Sequence, residues 1–321
     1  MSILLITNKA DITTDFIVKS LTAKKLSFYR LNTEEIGESV AVNLDFDSKK
    51  YIITDRGKNI SFDLLSFTSV YFRRPEVNEN FNDLTTGERN FIRSELLFLL
   101  EGLYKILKDA FWINTVEAIR GAENKIYQLV LAKEIGFKLP KSIITNVKTE
   151  AKAFYIKNKE RCIIKPIKSG LVAGNDEEGV IFTNEVKLDG QNIERINQCP
   201  VYVQNLVLKQ GDIRATVVGN RLFTALIHSQ EEVESQIDWR KSSLPLRHSQ
   251  IALPQDIAEK CLQLTKKLNL NFGAIDFILD EDGNYIFLEI NPNGQWAWIE
   301  KQLNYSISDE ITTLLAESKI L

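Results

Sequence analysis

Residues 271–296, Asn-Phe-Gly-Ala-Ile-Asp-Phe-Ile-Leu-Asp-Glu-Asp-Gly-Asn-Tyr-Ile-Phe-Leu-Glu-Ile-Asn-Pro-Asn-Gly-Gln-Trp, constrain this chain more than any other stretch. Ala274–Leu279 and Tyr285–Ile290 are apolar runs rich in β-branched and aromatic residues. Between them, Asp280–Asn284 is turn chemistry, with Gly283 free to take positive φ. The pattern predicts a β-hairpin interrupted by three polar residues, Asp276, Glu289 and Asn291. Side-chain alternation puts Glu289 and Asn291 on one face, and a register set by the Asp282-Gly283 turn brings Asp276 beside them. For Asp276 alone, an edge-strand residue facing water is the better reading. All three together, closed off by Pro292 and Gly294, favour another. Two carboxylates and an amide oxygen on an apolar hairpin are costly unless something compensates them. A hard cation such as Mg2+ takes this oxygen set, usually together with substrate phosphates.

The 321 residues suffice for two or three domains and a substantial core. A net charge of −3 argues against a protein held to nucleic acid by bulk charge. Cys162, Cys199 and Cys261 lie far apart without metal-ligand spacing, as expected of reduced thiols in a cytoplasmic protein. No apolar run approaches the ~18–20 residues of a membrane span. The N-terminus has neither the basic region nor the cleavage site of a signal peptide. Neither nucleic acid nor membrane is expected as a partner.

Ile3–Thr7 reads as a buried strand, Thr14–Leu26 as a helix capped by Asp11 or Thr13, and Phe28–Asn32 as a second strand. This β-α-β opening predicts an α/β domain with a parallel sheet. A hairpin is expected over 40–46 and 50–54. The strand Ser69–Phe72 runs into Arg73-Arg74-Pro75. Strand ends in such sheets are where ligands bind, and guanidinium pairs clamp carboxylates or phosphates; the alternative is a solvated loop. A helix is predicted over 87–108, with Phe91, residues 96–100, Leu103 and Leu107 as its apolar stripe. Another is predicted over 115–136, carrying Lys125 and ending at Gly136.

Arg161–Pro166 is a strand with Lys165 at its apolar end, and a lysine placed there needs an anion nearby. Lys125, taken alone, is equally an exposed helix lysine. The loop 169–179 holds three glycines, which let backbone N–H groups approach phosphates, although many such loops are only turns. Val201–Val207 is a strand, with Gln204, Asn205, Leu206 and Val207 as a linker. Residues 211–218 and 221–228 form a hairpin around Gly219-Asn220, with Asp212 and Arg214 on one face. Asp238-Trp239-Arg240 lies in a polar stretch. Helices are expected over 257–268 and 307–315.

The order Lys125, Lys165-Pro166, glycine loop, linker 204–207, Asp212-x-Arg214 and Asp276…Glu289-x-Asn291 resembles the ATP-grasp superfamily of carboxylate–amine and carboxylate–hydroxyl ligases. Tyr71-Phe72-Arg73-Arg74-Pro75, His228-Ser229-Gln230 and Asp238-Trp239-Arg240 make the chain similar to the graspetide (microviridin-type) branch, which matures ribosomally made peptides. The resemblance implies an α/β (α+β) ATP-grasp fold behind an N-terminal pre-ATP-grasp domain. The implied limits are 1–114, 115–188 (central subdomain) and 189–321 (C-terminal subdomain). It implies an ADP-forming ligase that activates Asp or Glu side chains of a precursor peptide as acyl phosphates. Ser/Thr hydroxyls or a Lys amine then close ω-ester or ω-amide rings. The peptide partner would carry a leader and a core with Thr/Ser and Asp/Glu, and a homodimer is expected.

By the same resemblance, Lys125 and Lys165 meet the ATP phosphates, Gln204–Val207 meet adenine through their backbone, and Asp212 holds the ribose. Many relatives place a glutamate before the adenine-binding segment, where this chain begins Gln204-Asn205. Asp276, Glu289 and Asn291 bind two Mg2+. Arg214 and Arg240 serve the transferring phosphoryl group, and Arg73 and Arg74 the substrate carboxylate. His228 is read equally as a packed strand histidine or a catalytic base, with Asp238 as an alternative proton acceptor. Two further readings stay open: a ligase acting on free amino acids or a protein C-terminus, and a nucleotide-binding protein without turnover.

Overall fold

The computed structural model describes residues 2–168, 171–173, 178–180 and 183–317. In chain order the first elements are β1 (Ile3–Thr7), α1 (Ile12–Ala23), β2 (Phe28–Asn32), β3 (Val40–Asp45), β4 (Lys50–Asp55), β5 (Ile60–Asp63), β6 (Ser69–Phe72), α2 (Thr86–Ile106) and β7 (Phe111–Trp112). Next come α3 (Val116–Ala122), α4 (Lys125–Ile135), β8 (Ser142–Thr145), α5 (Lys148–Lys157), β9 (Cys162–Lys165), β10 (Leu171–Ala173), β11 (Glu178–Val180), β12 (Asn184–Glu185), α6 (Gly190–Glu194) and β13 (Val201–Asn205). The remainder is β14 (Lys209–Val218), β15 (Arg221–Ile227), β16 (His248–Gln250), α7 (Gln255–Lys267), β17 (Phe272–Asp280), β18 (Tyr285–Asn291), α8 (Ala297–Leu303) and α9 (Ile307–Glu317).

The chain divides into two compact units. One comprises Met1–Ile119, Asn269–Phe272 and Asn293–Leu321; the other comprises Arg120–Leu268 and Gly273–Pro292. In the first unit, β2, β1, β6 and β7 form a parallel sheet in that order, as the β-α-β opening predicts. β3, β4 and β5 form a separate antiparallel sheet, of which the sequence foretold only the first two strands. Asp11 caps α1 by accepting from the Thr13 N–H. A reciprocal Thr85–Glu88 capping box starts α2. The buried stripe of α2 is Leu100, Leu103 and Tyr104, with Leu107 just beyond it. Phe91 and Phe98, expected on that stripe, point outward at 65% and 77% exposure. The far C-terminal helix belongs to this unit. Ser20 donates to Asp309 at 2.6 Å, and the Ser69 hydroxyl donates to the Leu315 carbonyl at 2.5 Å.

In the second unit, β12, β9, β13 and β8 form one antiparallel sheet, and β16, β15, β14, β17 and β18 are the strands of another. The helix expected over 115–136 is two helices, because Asn124 turns its side chain onto the Tyr127 N–H and caps a new one. Gly136 closes α4 at φ +90°, a left-handed conformation that suits glycine. The hairpin of β17 and β18 turns through Gly283 at φ +79°. Among the described residues, no helix is long and apolar enough to cross a membrane.

Candidate active site

Asp276 and Glu289 are directly opposed in the β17–β18 ladder, and Asn291 lies two residues beyond Glu289 opposite Ala274. Opposed residues share a face, so the three oxygen-bearing groups project together. The register then shifts by one: Phe277 opposes Phe287, which leaves Leu288 as a β-bulge. Without the bulge, Phe287 would alternate onto the face of Glu289. With it, Phe277 and Phe287 pack against Phe137 at ring separations of 5.7 and 5.2 Å, away from the carboxylates.

Each carboxylate has a cation. Arg214 Nε lies 2.7 Å from Asp276 Oδ1, and Lys125 Nζ lies 3.0 Å from Glu289 Oε2. Burial pushes the Asp276 carboxyl up to about 6, against the pull of Arg214. Burial also pushes Glu289 up, but Lys125 and Lys165 together outweigh it and hold it below the usual range. Burial brings Lys165 down to about 8, with Glu289 opposing and Lys125 adding to the shift. Four cationic side chains, Lys125, Lys165, Arg214 and Arg240, thus act on Asp276 and Glu289. Such a site suits a polyanion, and its hard oxygen donors fit Mg2+. No cluster of three His, Cys, Asp or Glu side chains able to hold a metal occurs among the described residues, so any ion here relies on Asn291 and on the substrate's own oxygens.

The shifts of Asp276 and Lys165 define a pH window. Asp276 must be ionised to take a cation, and that form is lost as pH falls through about 6. Lys165 must be protonated to meet a phosphate, and that form is lost as pH rises through about 8. Affinity for ATP with Mg2+, measured by titration calorimetry, is expected to be greatest between these values and to fall on both sides. A flat profile from pH 5 to 9 would contradict both assignments.

Other expected site residues are already engaged. Asp238 accepts two bonds from the Arg240 guanidinium at 2.8 and 2.7 Å, one from the Arg240 N–H at 3.2 Å, and one from the Thr183 N–H. Burial raises its pKa, but the Arg240 contacts prevail and keep it ionised, which makes it a weak proton acceptor as placed. His228 Nδ1 faces Arg247 Nη2 at 2.9 Å, and a guanidinium can only donate. The ring is therefore protonated at Nε2, which faces the Ser249 hydroxyl at 2.9 Å. His228 has no basic nitrogen to offer, which supports the packed-histidine reading. Asp212 is buried and receives Lys209 Nζ at 2.6 Å and the Ser229 hydroxyl at 2.5 Å on one oxygen, which speaks against a ribose role. Lys209 was not foreseen. Its only signal was a lysine three residues before an aspartate.

The linker differs as well. The Asn205 and Leu206 N–H groups donate to the Lys141 and Arg161 carbonyls, so they are not free for a base. The glycine loop lies largely outside the described residues (169–170 and 174–177), with only the backbone pairing of β10 and β11 on either side.

In the first unit, Arg73 is 1% exposed. Its Nε donates to Asp11 at 3.1 Å, and its Nη1 donates to the Asn293 and Gly294 carbonyls at 2.9 and 3.1 Å. This is a structural pairing, against the expectation of a substrate clamp. Arg74 is exposed and takes φ +45°, an unusual conformation for a non-glycine residue. Asn8 holds its carbonyl at 2.7 Å.

Comparison with known proteins gives the class. The MvdD pre-ATP grasp domain family matches residues 2–120, and the RimK-like ATP-grasp domain family matches residues 122–315. The chain belongs to the RimK-like ATP-grasp ligases. Its structure is similar to a RiPP-associated ATP-grasp ligase of Chryseobacterium gregarium solved with ADP and a leader and core peptide. That similarity has a TM-score of 0.89 and 27% identity, over 98% of this chain and 96% of that one. It is also similar to macrocyclase MdnC of Microcystis aeruginosa MRC bound with precursor peptide MdnA, with a TM-score of 0.86 and 26% identity over 99% and 100% of the two chains. In sequence it is 23% identical over 282 residues to the alpha-aminoadipate–LysW ligase LysX of Sulfolobus acidocaldarius, covering 84% of this chain and 97% of that protein.

Proposed function

We propose that the protein is an ATP-dependent macrocyclase of a ribosomally made precursor peptide. The observation that carries this is the Asp276–Glu289 pair ringed by Lys125, Lys165, Arg214 and Arg240, within a chain that matches peptide-binding ligases over nearly its whole length. The difficulty in the reaction is bringing an acid side chain onto a polyphosphate, since both are anions. Lys125 and Lys165 bind the nucleotide phosphates, and Arg214 and Arg240 neutralise the transferring group. Magnesium, when bound, offsets charge on the phosphates; Asp276, Glu289 and Asn291 would hold it, in a two-ion site. A carboxylate oxygen of the peptide attacks the γ-phosphorus and ADP leaves. A hydroxyl oxygen or amine nitrogen then attacks the acyl carbon, phosphate departs with the acyl oxygen, and the ring closes with net loss of water. Arg74 is assigned to the peptide's carboxylate.

The proposal includes segments 1–114, 115–188 and 189–321 as pre-ATP-grasp, central and C-terminal parts, and a cytoplasmic homodimer. The LysX likeness favours a second reading, ligation to an amino-acid acceptor. The test incubates the protein, ATP and Mg2+ with the short Thr- and Asp/Glu-containing peptide encoded by a neighbouring reading frame. Mass spectrometry is expected to show loss of one water per cross-link, with ADP released in proportion. ADP release with free glutamate and an unchanged peptide mass would establish the second reading instead.

A further inference from the structure

Lys209 is buried in the second unit, where a lysine is costly unless its charge is answered. Its Nζ donates to Asp212 Oδ2 at 2.6 Å and to the Ile237 carbonyl at 3.4 Å. The same Asp212 oxygen accepts from the Ser229 hydroxyl at 2.5 Å. Ser229 and Ile237 are the two ends of the loop that follows β15, so both ends rest on one buried ion pair. The loop is also stitched across its middle. The Ser235 hydroxyl donates to the Ser229 and Glu232 carbonyls at 2.7 and 2.9 Å, and Gln230 Nε2 donates to the Gln236 carbonyl at 3.2 Å. Ser229 and Ser235 are fully buried. A buried ion pair adds little net stability, because desolvation offsets the attraction. What this one supplies is two fixed points for the loop.

The far fixed point stands one residue before Asp238. That carboxylate takes the Arg240 guanidinium on both oxygens, at 2.8 and 2.7 Å, a fork that sets the plane of the guanidinium as well as its position. The Arg240 charge reaches both Asp276 and Glu289 and favours their ionised forms. Between Asp238 and Arg240, the Trp239 ring lies 5.8 Å from the Arg214 guanidinium carbon. The end of the loop thus meets two of the four cations of the candidate active site, and its beginning is pinned on Asp212.

We infer that Lys209 and Ser229 are positioning residues: pinned on Asp212, they hold the 229–237 loop so that Asp238 aims Arg240 at the transferring phosphoryl group. This rests on the ligase reading of the site, in which Arg240 neutralises that group. An interaction made only during the transfer acts on turnover and leaves nucleotide affinity alone. The same assignment gives Asp212 its task, as the anchor of Lys209 and Ser229.

The test measures peptide-dependent ADP release by the full-length protein with Mg2+, giving kcat and the KM for ATP, with melting curves alongside. The variants are Lys209→Met, Ser229→Ala, Arg240→Ala and the two doubles with Arg240→Ala. Lys209→Met is expected to lower kcat roughly 10-fold and Ser229→Ala roughly 3-fold, with the KM for ATP held within about 2-fold. Arg240→Ala is expected to lower kcat roughly 100-fold, and neither loop variant to lower it further in that background. Losses that multiply in the doubles would overturn the inference, as would wild-type kcat in both single loop variants or in Arg240→Ala. Ser229→Ala removes one hydroxyl and leaves the ion pair, so it carries the same cycle if Lys209→Met does not fold. Absence of peptide-dependent ADP release in wild type would instead remove the ligase reading beneath the inference.

Discussion

Glu289→Gln is expected to leave the protein folded and to abolish ADP formation. The side chain changes by one atom, so the packing around β18 has no reason to move. What changes is charge. Glu289 is the carboxylate toward which Lys125 points at 3.0 Å, and it sits directly across the ladder from Asp276. Removing its charge halves the anionic pair available to a divalent ion. Metal-assisted charge neutralisation is worth several kcal/mol in such reactions, so turnover should fall ~10³-fold or more. Peptide-dependent ADP release, with a melting curve as control, measures both halves of the expectation. Wild-type turnover in this variant would remove the metal assignment, and with it the main support for the catalytic reading.

The second large effect is on stability. Arg73→Ala removes the only cation paired with Asp11 among the described residues, and strips donors from the Asn293 and Gly294 carbonyls. Breaking a buried ion pair by removing one partner costs about 3–5 kcal/mol. Against a total stability of ~5–15 kcal/mol, that is a large fraction, visible as a melting temperature lower by on the order of 10 °C. Arg74→Ala removes an exposed side chain, and should keep the melting temperature while impairing peptide modification more than ATP binding. A full-stability Arg73→Ala protein that failed only in peptide modification would return Arg73 to the substrate.

These two arginines show where the sequence was legible and where it was not. The oxygen-bearing face of the hairpin was legible in part: alternation alone puts Glu289 with Asn291, but the observed register running out from the turn would set Asp276 opposite Leu288, and the bulge that brings it to Glu289 has no local signal. Arg73 and Arg74 look alike in the chain. The partners that separate them, Asp11 and Asn293, lie 62 and 220 residues away, and no local pattern encodes that distance. The surroundings of Asp212 were hidden for a similar reason: its charge is answered by Lys209 on its own strand and by Ser229 from beyond the next. The docking of α9 in the first unit was illegible too. An amphipathic helix declares that it has a buried face, and says nothing about which surface will cover it.

The extra residue at Leu288 lets one ribbon serve two purposes that would otherwise compete. On one side of it the ladder aims aromatic rings inward, and on the other it aims acids toward the chemistry. Mutations that reshape the interior can therefore accumulate in a lineage without rotating the reactive groups. Forcing Leu288 into regular pairing would carry Phe287 onto the side of Glu289, whereas deleting it would leave both sets where they are.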